Sequence, residues 1–181
     1  MTMPHNDEEF ELFMRLFSTF EIKSYCEIGV RHGNRFFGTA MRMEKTARLV
    51  AVDLPFAKWG QKNSKENLIK TAGKLDEFGY KNVSVIFGDS HDPNVIAQVE
   101  KHAPYDCVFI DADHTYDAVS KDAENYWHMA SKMIAFHDIC TAKTGKHGAI
   151  EVWRLWEEIK QKRHSYVEIN CHIDMGIGVV V

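Results

Sequence analysis

Short apolar segments alternate with amphipathic helical segments along this chain, and that alternation constrains its fold more than any other feature. Five strands are predicted: Ser24–Ile28, Arg48–Asp53, Asn82–Phe87, Tyr105–Ile110 and Lys132–His137. Strands that are apolar along their length and are separated by helices indicate a mostly parallel sheet covered on both faces. The closing segments, 165–171 and 176–181, indicate a hairpin that adds an antiparallel strand. The predicted fold class is therefore α/β, with a doubly wound, Rossmann-like sheet.

The helical segments show apolar residues at a spacing of three to four positions. Asn6 or Asp7 is predicted to cap the first helix, which carries four phenylalanines at helical spacing between positions 10 and 20. The last helix, 149–163, is predicted to bury Trp153 and Trp156. Other helices are predicted near 34–45, 64–78 and 115–130, and from Asp92-Pro93 onwards. We find no linker or repeat, so residues 1–181 are predicted to form one domain, with an N-terminal helix at 1–22 and a core at 24–181.

Charge and hydropathy narrow the classes of partner. The chain of 181 residues has a formal net charge of −4 at pH 7, which gives no overall attraction to nucleic acid. No apolar run approaches the ~20 residues that a membrane span requires, so no membrane partner is expected. The first ten residues lack the basic and apolar regions of a signal peptide, and the expected location is cytoplasmic.

Polar residues and glycines end each predicted strand. In a doubly wound sheet, ligands bind outside the carboxyl ends of the strands, where the strand order reverses. Gly29 and Gly33 allow a tight turn before a helix N-terminus, which favours an anionic group. Asp53 lies twenty residues past Gly33, a spacing at which a carboxylate accepts hydrogen bonds from ribose hydroxyls. Each of these residues also has a simpler interpretation as a turn or cap residue, but their occurrence after successive strands indicates one site.

The segments CEIGVRHG, AVDL, FGDS, FIDADHTYDAVSKD and AFHDI, in that order, resemble the class I S-adenosylmethionine-dependent methyltransferases. The stretch from Phe109 to Ile139, with EVWRLWEEIK and the terminal GIGVVV, is most similar to a branch of small bacterial and phage methyltransferases. That branch includes sugar and natural-product O-methyltransferases and cephalosporin hydroxylase-like proteins. The resemblance extends from about Ser24 to Val181 and implies a seven-stranded sheet whose last strand is antiparallel.

The same resemblance implies a set of S-adenosylmethionine-binding residues at the strand ends: Glu27, Gly29, Gly33, Asp53, Asp89, Ser90 and Asp111. The first three match the motif that lies along the methionine and ribose parts of the cofactor, and Asp53 matches the acid that binds the ribose hydroxyls. Asp89 and Ser90 match the adenine-side loop, and Asp111 ends the strand beneath the transferred methyl group. The first motif departs from the usual pattern because Arg31 occupies its middle glycine position.

Methyl transfer to an alcohol requires removal of the hydroxyl proton by a general base or a metal ion. The predicted catalytic residues are His114, Asp111 and His137, and His147 is a further candidate base. The alternative interpretation of His114 is a structural residue that caps the next helix. The resemblance also implies a divalent metal site, for Mg²⁺ or another ion, formed by Asp111, His137 and Asp138. Neighbouring strand residues point to opposite faces, so His137 and Asp138 can share an ion only where the strand has ended.

The leading prediction is O-methylation of a small molecule or sugar, and two other functions remain open. A nicotinamide-dependent oxidoreductase would share the strand–turn–helix and Asp53, although the third glycine of its fingerprint is missing. A non-catalytic S-adenosylmethionine-binding module would keep the same pocket. Nucleic acid is not expected as the acceptor.

Family members often pair, so the phenylalanines of the first helix are predicted either to cover the sheet or to form a homodimer contact. The loop 141–148, with Lys143 and Lys146, is either a gate over the acceptor site or a solvated connector.

Overall fold

A sheet of seven strands lies at the centre of the protein, whose computed structural model describes residues 7–56, 64–141, 144–145, 148–169 and 175–181. Two further strands of two residues each pair only with one another. The strands are β1 Ser24–Ile28, β2 Arg48–Asp53, β3 Val83–Phe87, β4 Tyr105–Ile110, β5 Ala130–His137, β6 Thr144–Gly145, β7 Gly148–Ala149, β8 Tyr166–Ile169 and β9 Ile177–Val180. The helices are α1 Asp7–Thr19, α2 Asn34–Ala40, α3 Ser64–Glu77, α4 Pro93–Glu100, α5 Tyr116–Tyr126 and α6 Val152–Lys162, with a 3₁₀ turn at Trp127–Met129.

The strand order in the sheet is β3-β2-β1-β4-β5-β9-β8. Strands β1 to β5 run parallel to one another, and β9 runs antiparallel to both β5 and β8. The predicted seven-stranded, Rossmann-like sheet with an antiparallel last strand is therefore confirmed. The order reverses between β1 and β4, and this reversal fixes the edge at which a ligand site is expected.

Helix α1 covers one face of the sheet with its phenylalanines. Phe10, Phe13 and Phe17 are buried, and the ring centroid of Phe13 lies 5.3 Å from that of Phe109 on β4. Phe17 packs 5.6 Å from Tyr25 on β1 in the same way. These three side chains therefore cover the sheet within the chain, which was one of the two predicted roles. The homodimer stays a prediction.

The opposite face of the sheet is covered by α4, α5 and α6. Trp156 of α6 is buried against Phe136, at a ring-centroid distance of 6.4 Å. The prediction that Trp153 is also buried is wrong, because its side chain is 39% exposed. The buried residues of α6 are Val152, Trp156 and Ile159, so the apolar stripe is narrower than predicted and Trp153 lies beside it.

Two predicted helix ends are also wrong. Helix α2 ends at Ala40 and not near residue 45, and α5 ends at Tyr126. Ala130, predicted as helical, is the first residue of β5 and pairs with Tyr105 of β4. Pairing with a neighbouring strand therefore overrides the local helical pattern at this point. None of the helices that the structure describes is both long and apolar enough to cross a membrane.

Candidate functional site

The turn after β1 passes directly beside the end of β4. Gly29 has φ +90° and donates its N–H to Val52 of β2, at 2.9 Å. A Cβ atom at Gly29 would overlap the carbonyl oxygen of Asp111 and would lie 2.5 Å from the Cα of Ala112. Only glycine fits this backbone conformation and this approach, so Gly29 lets the first turn meet the fourth strand at the reversal point. Gly33, with φ +79°, precedes α2, and a Cβ there would lie 2.7 Å from Thr71 Oγ1.

Asp53 at the end of β2 holds the same turn from the other side. Its carboxylate accepts the backbone N–H of Arg31. Burial raises the pKa of Asp53, and backbone hydrogen bonds, that of Arg31 first, oppose the rise. Arg31 has φ +54°, which is left-handed backbone. The residue that replaces the usual middle glycine therefore keeps the backbone conformation that glycine favours.

Glu27 is a buried carboxyl group next to this turn. Its Oε2 accepts a hydrogen bond of 2.7 Å from the hydroxyl of Tyr25, two residues earlier on the same side of β1. Burial raises the pKa of Glu27 to about 8, although the Tyr25 hydroxyl and the positive charge of Arg35 oppose the rise. Glu27 therefore has a raised affinity for protons in the folded protein, and a cationic ligand group beside it would favour the ionised form.

We expect Glu27→Gln to reduce the pH dependence of stability. The folded protein holds the Glu27 proton to about pH 8 and the unfolded chain only to about 4.5, so this group's stabilising contribution falls as pH rises between those values. Wild type should therefore lose more free energy of unfolding than Glu27→Gln between pH 5.5 and 8.5, by a few kcal/mol at about 1.4 kcal/mol per unit of pKa difference. Urea unfolding at both pH values measures this, with the exposed Glu66→Gln as control. Equal losses in wild type and Glu27→Gln would contradict the assignment.

A cluster of two carboxylates and two imidazoles lies at the ends of β4 and β5. Asp111 Oδ1 lies 3.3 Å from His114 Nε2 and 3.2 Å from His137 Nδ1. Asp138 Oδ2 lies 2.9 Å from His114 Nδ1, and Asp138 Oδ1 lies 3.6 Å from His137 Nδ1. Strand β5 ends at His137, and Asp138 has φ +61°. This left-handed turn allows the consecutive side chains of His137 and Asp138 to reach the same site. The sequence-based condition, that the strand must have ended for both residues to share an ion, is therefore met.

The charges of this cluster stabilise one another. Burial lowers the pKa of His114, but hydrogen bonds with Asp111 and Asp138 raise it to about 10. Burial likewise lowers the pKa of His137, and the charge of Asp111 raises it to about 9. Burial raises the pKa of Asp111, yet the charge of His137 and the hydrogen bonds from both histidines hold it well below its usual range. The carboxylates therefore favour the cationic form of both imidazoles.

The ligand atoms of Asp111, His114 and Asp138 all lie within 4.8 Å of one another. The third member of this group is therefore His114, whereas the sequence predicted His137. The alternative role of His114 as a cap of α5 is not seen among the described residues, because Glu151 Oε2 accepts the N–H of Tyr116 at 3.2 Å and both ring nitrogens of His114 face carboxylates. His147 lies outside the described residues, as do Lys143 and Lys146.

Two charged residues that sequence reasoning missed contact this cluster. Glu9 of α1 is fully buried; its Oε1 lies 3.2 Å from His137 Nε2, and its Oε2 accepts the N–H of Gly176 at 3.0 Å. Arg35 of α2 lies 3.0 Å from His137 Nε2 and places its guanidinium 5.1 Å from the ring centroid of Phe109. Arg35 Nη1 is buried and has no hydrogen-bond partner among the described residues. In the sequence, the position of Arg35 just after Gly33 in the first motif is the feature that could have indicated a role at this site.

The two adenine-side candidates lie near the other edge of the sheet, after β3. The Asp89 side chain is 66% exposed, and its Oδ1 accepts the N–H of His91 at 2.9 Å. The carbonyl oxygen of Ser90 accepts a hydrogen bond of 2.8 Å from the hydroxyl of Tyr126 on α5. Three strands separate this loop from β5, so Asp89 and Ser90 lie well apart from the carboxylate–imidazole cluster along the sheet.

A family model described as a methyltransferase domain matches residues 26–139. The chain belongs to this family. The match spans the first turn, Asp53, the loop after β3 and the cluster at the ends of β4 and β5. The predicted resemblance to class I S-adenosylmethionine-dependent methyltransferases is therefore confirmed, and the oxidoreductase alternative loses its support. S-adenosylmethionine is the methyl donor of this class.

Solved structures with the same fold include several methyltransferases. An O-methyltransferase from Bacillus cereus in complex with SAH has a TM-score of 0.70 and 15% identity, over 100% of this chain and 82% of that chain. The O-methyltransferase TomG from Streptomyces achromogenes, involved in tomaymycin synthesis and in complex with SAM, has a TM-score of 0.69 and 14% identity, over 96% and 79% of the two chains. A methyltransferase from Geobacter sulfurreducens has a TM-score of 0.64 and 14% identity, over 97% and 78%. No curated protein is significantly similar to this methyltransferase.

Proposed function

We propose that this methyltransferase transfers a methyl group from S-adenosylmethionine to a hydroxyl oxygen of a small molecule or sugar, with the help of a divalent cation. The observation that carries the proposal is the convergence of Asp111, His114 and Asp138 within 4.8 Å at the ends of β4 and β5. The similar folds of two O-methyltransferases support oxygen as the acceptor atom. The predicted cytoplasmic location and the homodimer stay predictions.

The residues around the first turn fit the methyl donor. When bound, S-adenosylmethionine would supply the methyl group: the acceptor oxygen would attack the methyl carbon, the carbon–sulfur bond would break, and S-adenosylhomocysteine would leave. The absence of a Cβ at Gly29 lets the first turn and the end of β4 meet at the reversal point of the sheet, where a ligand is expected to bind. We assign Glu27 to the methionine ammonium group and the unpartnered Arg35 Nη1 to its carboxylate, because each pairing brings opposite charges together in a buried place.

At the other end of the donor, Asp53 is assigned to the ribose hydroxyls, and Asp89 and Ser90 to the adenine. A carboxylate that already accepts one backbone N–H, as Asp53 does, keeps further acceptor capacity for hydroxyl groups. The exposed Asp89 carboxylate is an acceptor of the kind that suits an exocyclic amino group. These assignments agree with the order of the donor's parts along the sheet.

The carboxylate–imidazole cluster fits a cation. Two carboxylates and one imidazole are ligand types that divalent ions such as Mn²⁺ or Mg²⁺ accept, the imidazole favouring the former. A cation held there by Asp111, His114 and Asp138 would lower the pKa of an acceptor hydroxyl. We place His114 in this set ahead of His137, because the guanidinium of Arg35 lies 3.0 Å from His137 Nε2 and repels a second cation. The predicted ligand role of His137 stays a prediction.

A histidine base without a metal is the second candidate mechanism. Its weakness is geometric, because both ring nitrogens of His114 face carboxylate oxygens, at 3.3 and 2.9 Å. A general base needs an unoccupied nitrogen toward the hydroxyl proton. His137 is engaged in the same way, by Asp111 at Nδ1 and by Glu9 and Arg35 at Nε2. We infer that Glu9, at Nε2, holds His137 against Asp111, which fixes the direction of the Asp111 carboxylate.

We expect S-adenosylhomocysteine to bind the wild-type protein and Asp53→Ala to weaken this binding about tenfold or more, because two ribose hydroxyls lose a charged acceptor. Isothermal titration calorimetry measures both affinities. Asp76→Ala, which changes an exposed carboxylate on α3, is the matched control and should bind as wild type does.

NAD serves as the second ligand in this experiment. Stabilisation of the wild-type protein by NAD and not by S-adenosylhomocysteine would overturn the proposed function. An unchanged affinity in Asp53→Ala would instead show that only the ribose assignment is wrong. Methyl transfer from radiolabelled S-adenosylmethionine to a panel of small alcohols, phenols and sugars would then identify the acceptor class. Binding of the donor product without transfer to any of them would favour the non-catalytic module.

A further inference from the structure

One face of helix α5 contacts the loop that follows β3. The contacting positions are 118, 122 and 126, which recur every four residues and so lie on one side of a helix. The carbonyl oxygen of Ala118 lies 3.2 Å from His91 Nε2, and Asp122 Oδ1 lies 3.1 Å from the same nitrogen. The hydroxyl of Tyr126 donates to the carbonyl oxygen of Ser90 at 2.8 Å. Three successive turns of α5 therefore contact two consecutive residues of the loop.

Asp122 is the unusual member of this face. A charged side chain is rarely buried without a specific partner, and the Asp122 side chain is almost completely buried. Burial raises the pKa of Asp122 to about 6, while the nearby Ser90 side chain and His91 oppose the rise. A carboxylate here costs stability, because neither of its oxygens has a hydrogen-bond partner among the described residues and the 3.1 Å approach to His91 Nε2 offsets the burial only in part.

The contacts of His91 link Asp122 to the surface of the loop. Both groups near His91 Nε2, the Ala118 carbonyl and the Asp122 carboxylate, are acceptors, so this nitrogen must carry a proton. The opposite ring nitrogen, Nδ1, then faces Asp89 Oδ1 at 4.0 Å. The backbone N–H of His91 also donates to Asp89 Oδ1, at 2.9 Å. The ring orientation in which Nε2 faces the Ala118 carbonyl and the Asp122 carboxylate therefore places His91 beside the carboxylate assigned to adenine.

We propose that Asp122 is a positioning residue that acts through His91 and Ser90 to fix the loop after β3, and thereby sets the preference of this methyltransferase for adenine in its donor. The inference rests on the proposed assignment of Asp89 and Ser90 to the adenine. Tyr126, on the next turn of α5, also holds this loop through its hydrogen bond to the Ser90 carbonyl oxygen. Because α5 begins just after His114, this helix also joins the adenine end of the site to the carboxylate–imidazole cluster.

The test compares two ligands that differ only at the base. S-inosylhomocysteine has an oxygen in place of the 6-amino group of adenine, so it lacks the group that Asp89 would recognise. We expect wild type to bind S-adenosylhomocysteine about tenfold more tightly than S-inosylhomocysteine, and Asp122→Ala to lose most of this ratio by weakening only the adenosyl ligand. Calorimetric titration of both ligands measures the ratio. Asp122→Asn, which can still accept from His91, should restore part of it.

The melting temperature separates positioning from a merely structural role. Removal of a costly buried carboxylate from a helix, in favour of the best helix former, should leave stability near that of wild type even though the ligand ratio falls. The exposed Glu124→Ala on the same helix is the control and should change neither quantity. In a double-mutant cycle, His91→Gln should abolish the effect of Asp122→Ala on the ratio, because Asp122 acts through His91.

The titrations distinguish failure of the proposed function from failure of the adenine assignment and from failure of the inference about Asp122. A wild-type protein that does not bind S-adenosylhomocysteine contradicts the proposed function, and one that binds both ligands equally contradicts the adenine assignment and the inference built on it. A wild-type ratio that persists in Asp122→Ala overturns the inference alone, as does an equal loss of affinity for both ligands. If Asp122→Ala does not fold, Tyr126→Phe and His91→Gln decide the matter, and an unchanged ratio in both would overturn the inference.

Discussion

Asp138→Asn is expected to lower the rate of methyl transfer by roughly 10²–10⁴-fold, the range that removal of the group handling the acceptor proton typically costs. Asp138 is buried, and its Oδ2 lies 2.9 Å from His114 within the proposed cation site. Asparagine has the same shape and tolerates the left-handed backbone, φ +61°, that Asp138 adopts. The substitution therefore removes a charge from the cation site without straining the turn that ends β5.

Two measurements check this prediction. Transfer of radiolabelled methyl groups to the best acceptor of a panel gives the rate, and titration with Mn²⁺ followed by electron paramagnetic resonance gives the cation affinity, which should fall with the rate. Asp106→Asn, at the opposite end of β4, is the control and should retain both. S-adenosylhomocysteine affinity should remain close to wild type, since Asp138 is not assigned to the donor. Full activity in Asp138→Asn, or in wild type after treatment with a chelator, would favour the histidine-base mechanism.

The strands of this protein were predictable because each carries its own signal. The bounds of β1, β2 and β4 agree with the prediction at both ends, since each is a short, mostly apolar segment flanked by polar or turn residues. The polar strand ends could then be placed together by the general rule for parallel sheets, without knowledge of any distance. Signals of this kind are local, and a single sequence contains them.

The contacts of Glu9 were not predictable in the same way. Glu9 lies in a polar stretch, Asp7 to Glu11, that reads as the solvated start of a helix. Its burial depends on His137 and Gly176, which lie more than 120 residues away in sequence. A buried carboxylate is stabilised by such distant partners and leaves no trace in local periodicity. The sequence predicted His137 as the third member of the proposed cation group, whereas the structure brings His114 together with Asp111 and Asp138. This difference was not predictable from local signals either, because the direction of each imidazole ring depends on Asp111 and Asp138 together.

Gly29→Ala is expected to destabilise the protein by about 3 kcal/mol or more, from backbone strain and overlap in a packed site. The φ of +90° is unfavourable for any residue with a Cβ, and here the added atom would meet backbone atoms of Asp111 and Ala112 that cannot rotate away. The ends of β1 and β4 would have to separate to relieve this overlap. Because the Asp111 side chain leaves the same backbone segment, the proposed cation site should be disturbed together with the fold.

A comparison of the chemical unfolding of Gly29→Ala and Gly73→Ala separates the effect of backbone conformation and neighbouring atoms from the effect of the added methyl group itself. Gly73 is an exposed residue inside α3 with nothing within 4 Å of the position of an added Cβ, so alanine there should stabilise the protein by about 0.5–1 kcal/mol. The same substitution would thus have opposite signs at two glycines, and only the backbone conformation and the neighbouring atoms differ between them. For a chain of this size each kcal/mol corresponds to roughly 2–4 °C in melting temperature, so the two variants should be separated by about 10 °C. A Gly29→Ala protein that melts with wild type would mean that the first turn does not approach β4 as closely as the φ of Gly29 and its contacts require.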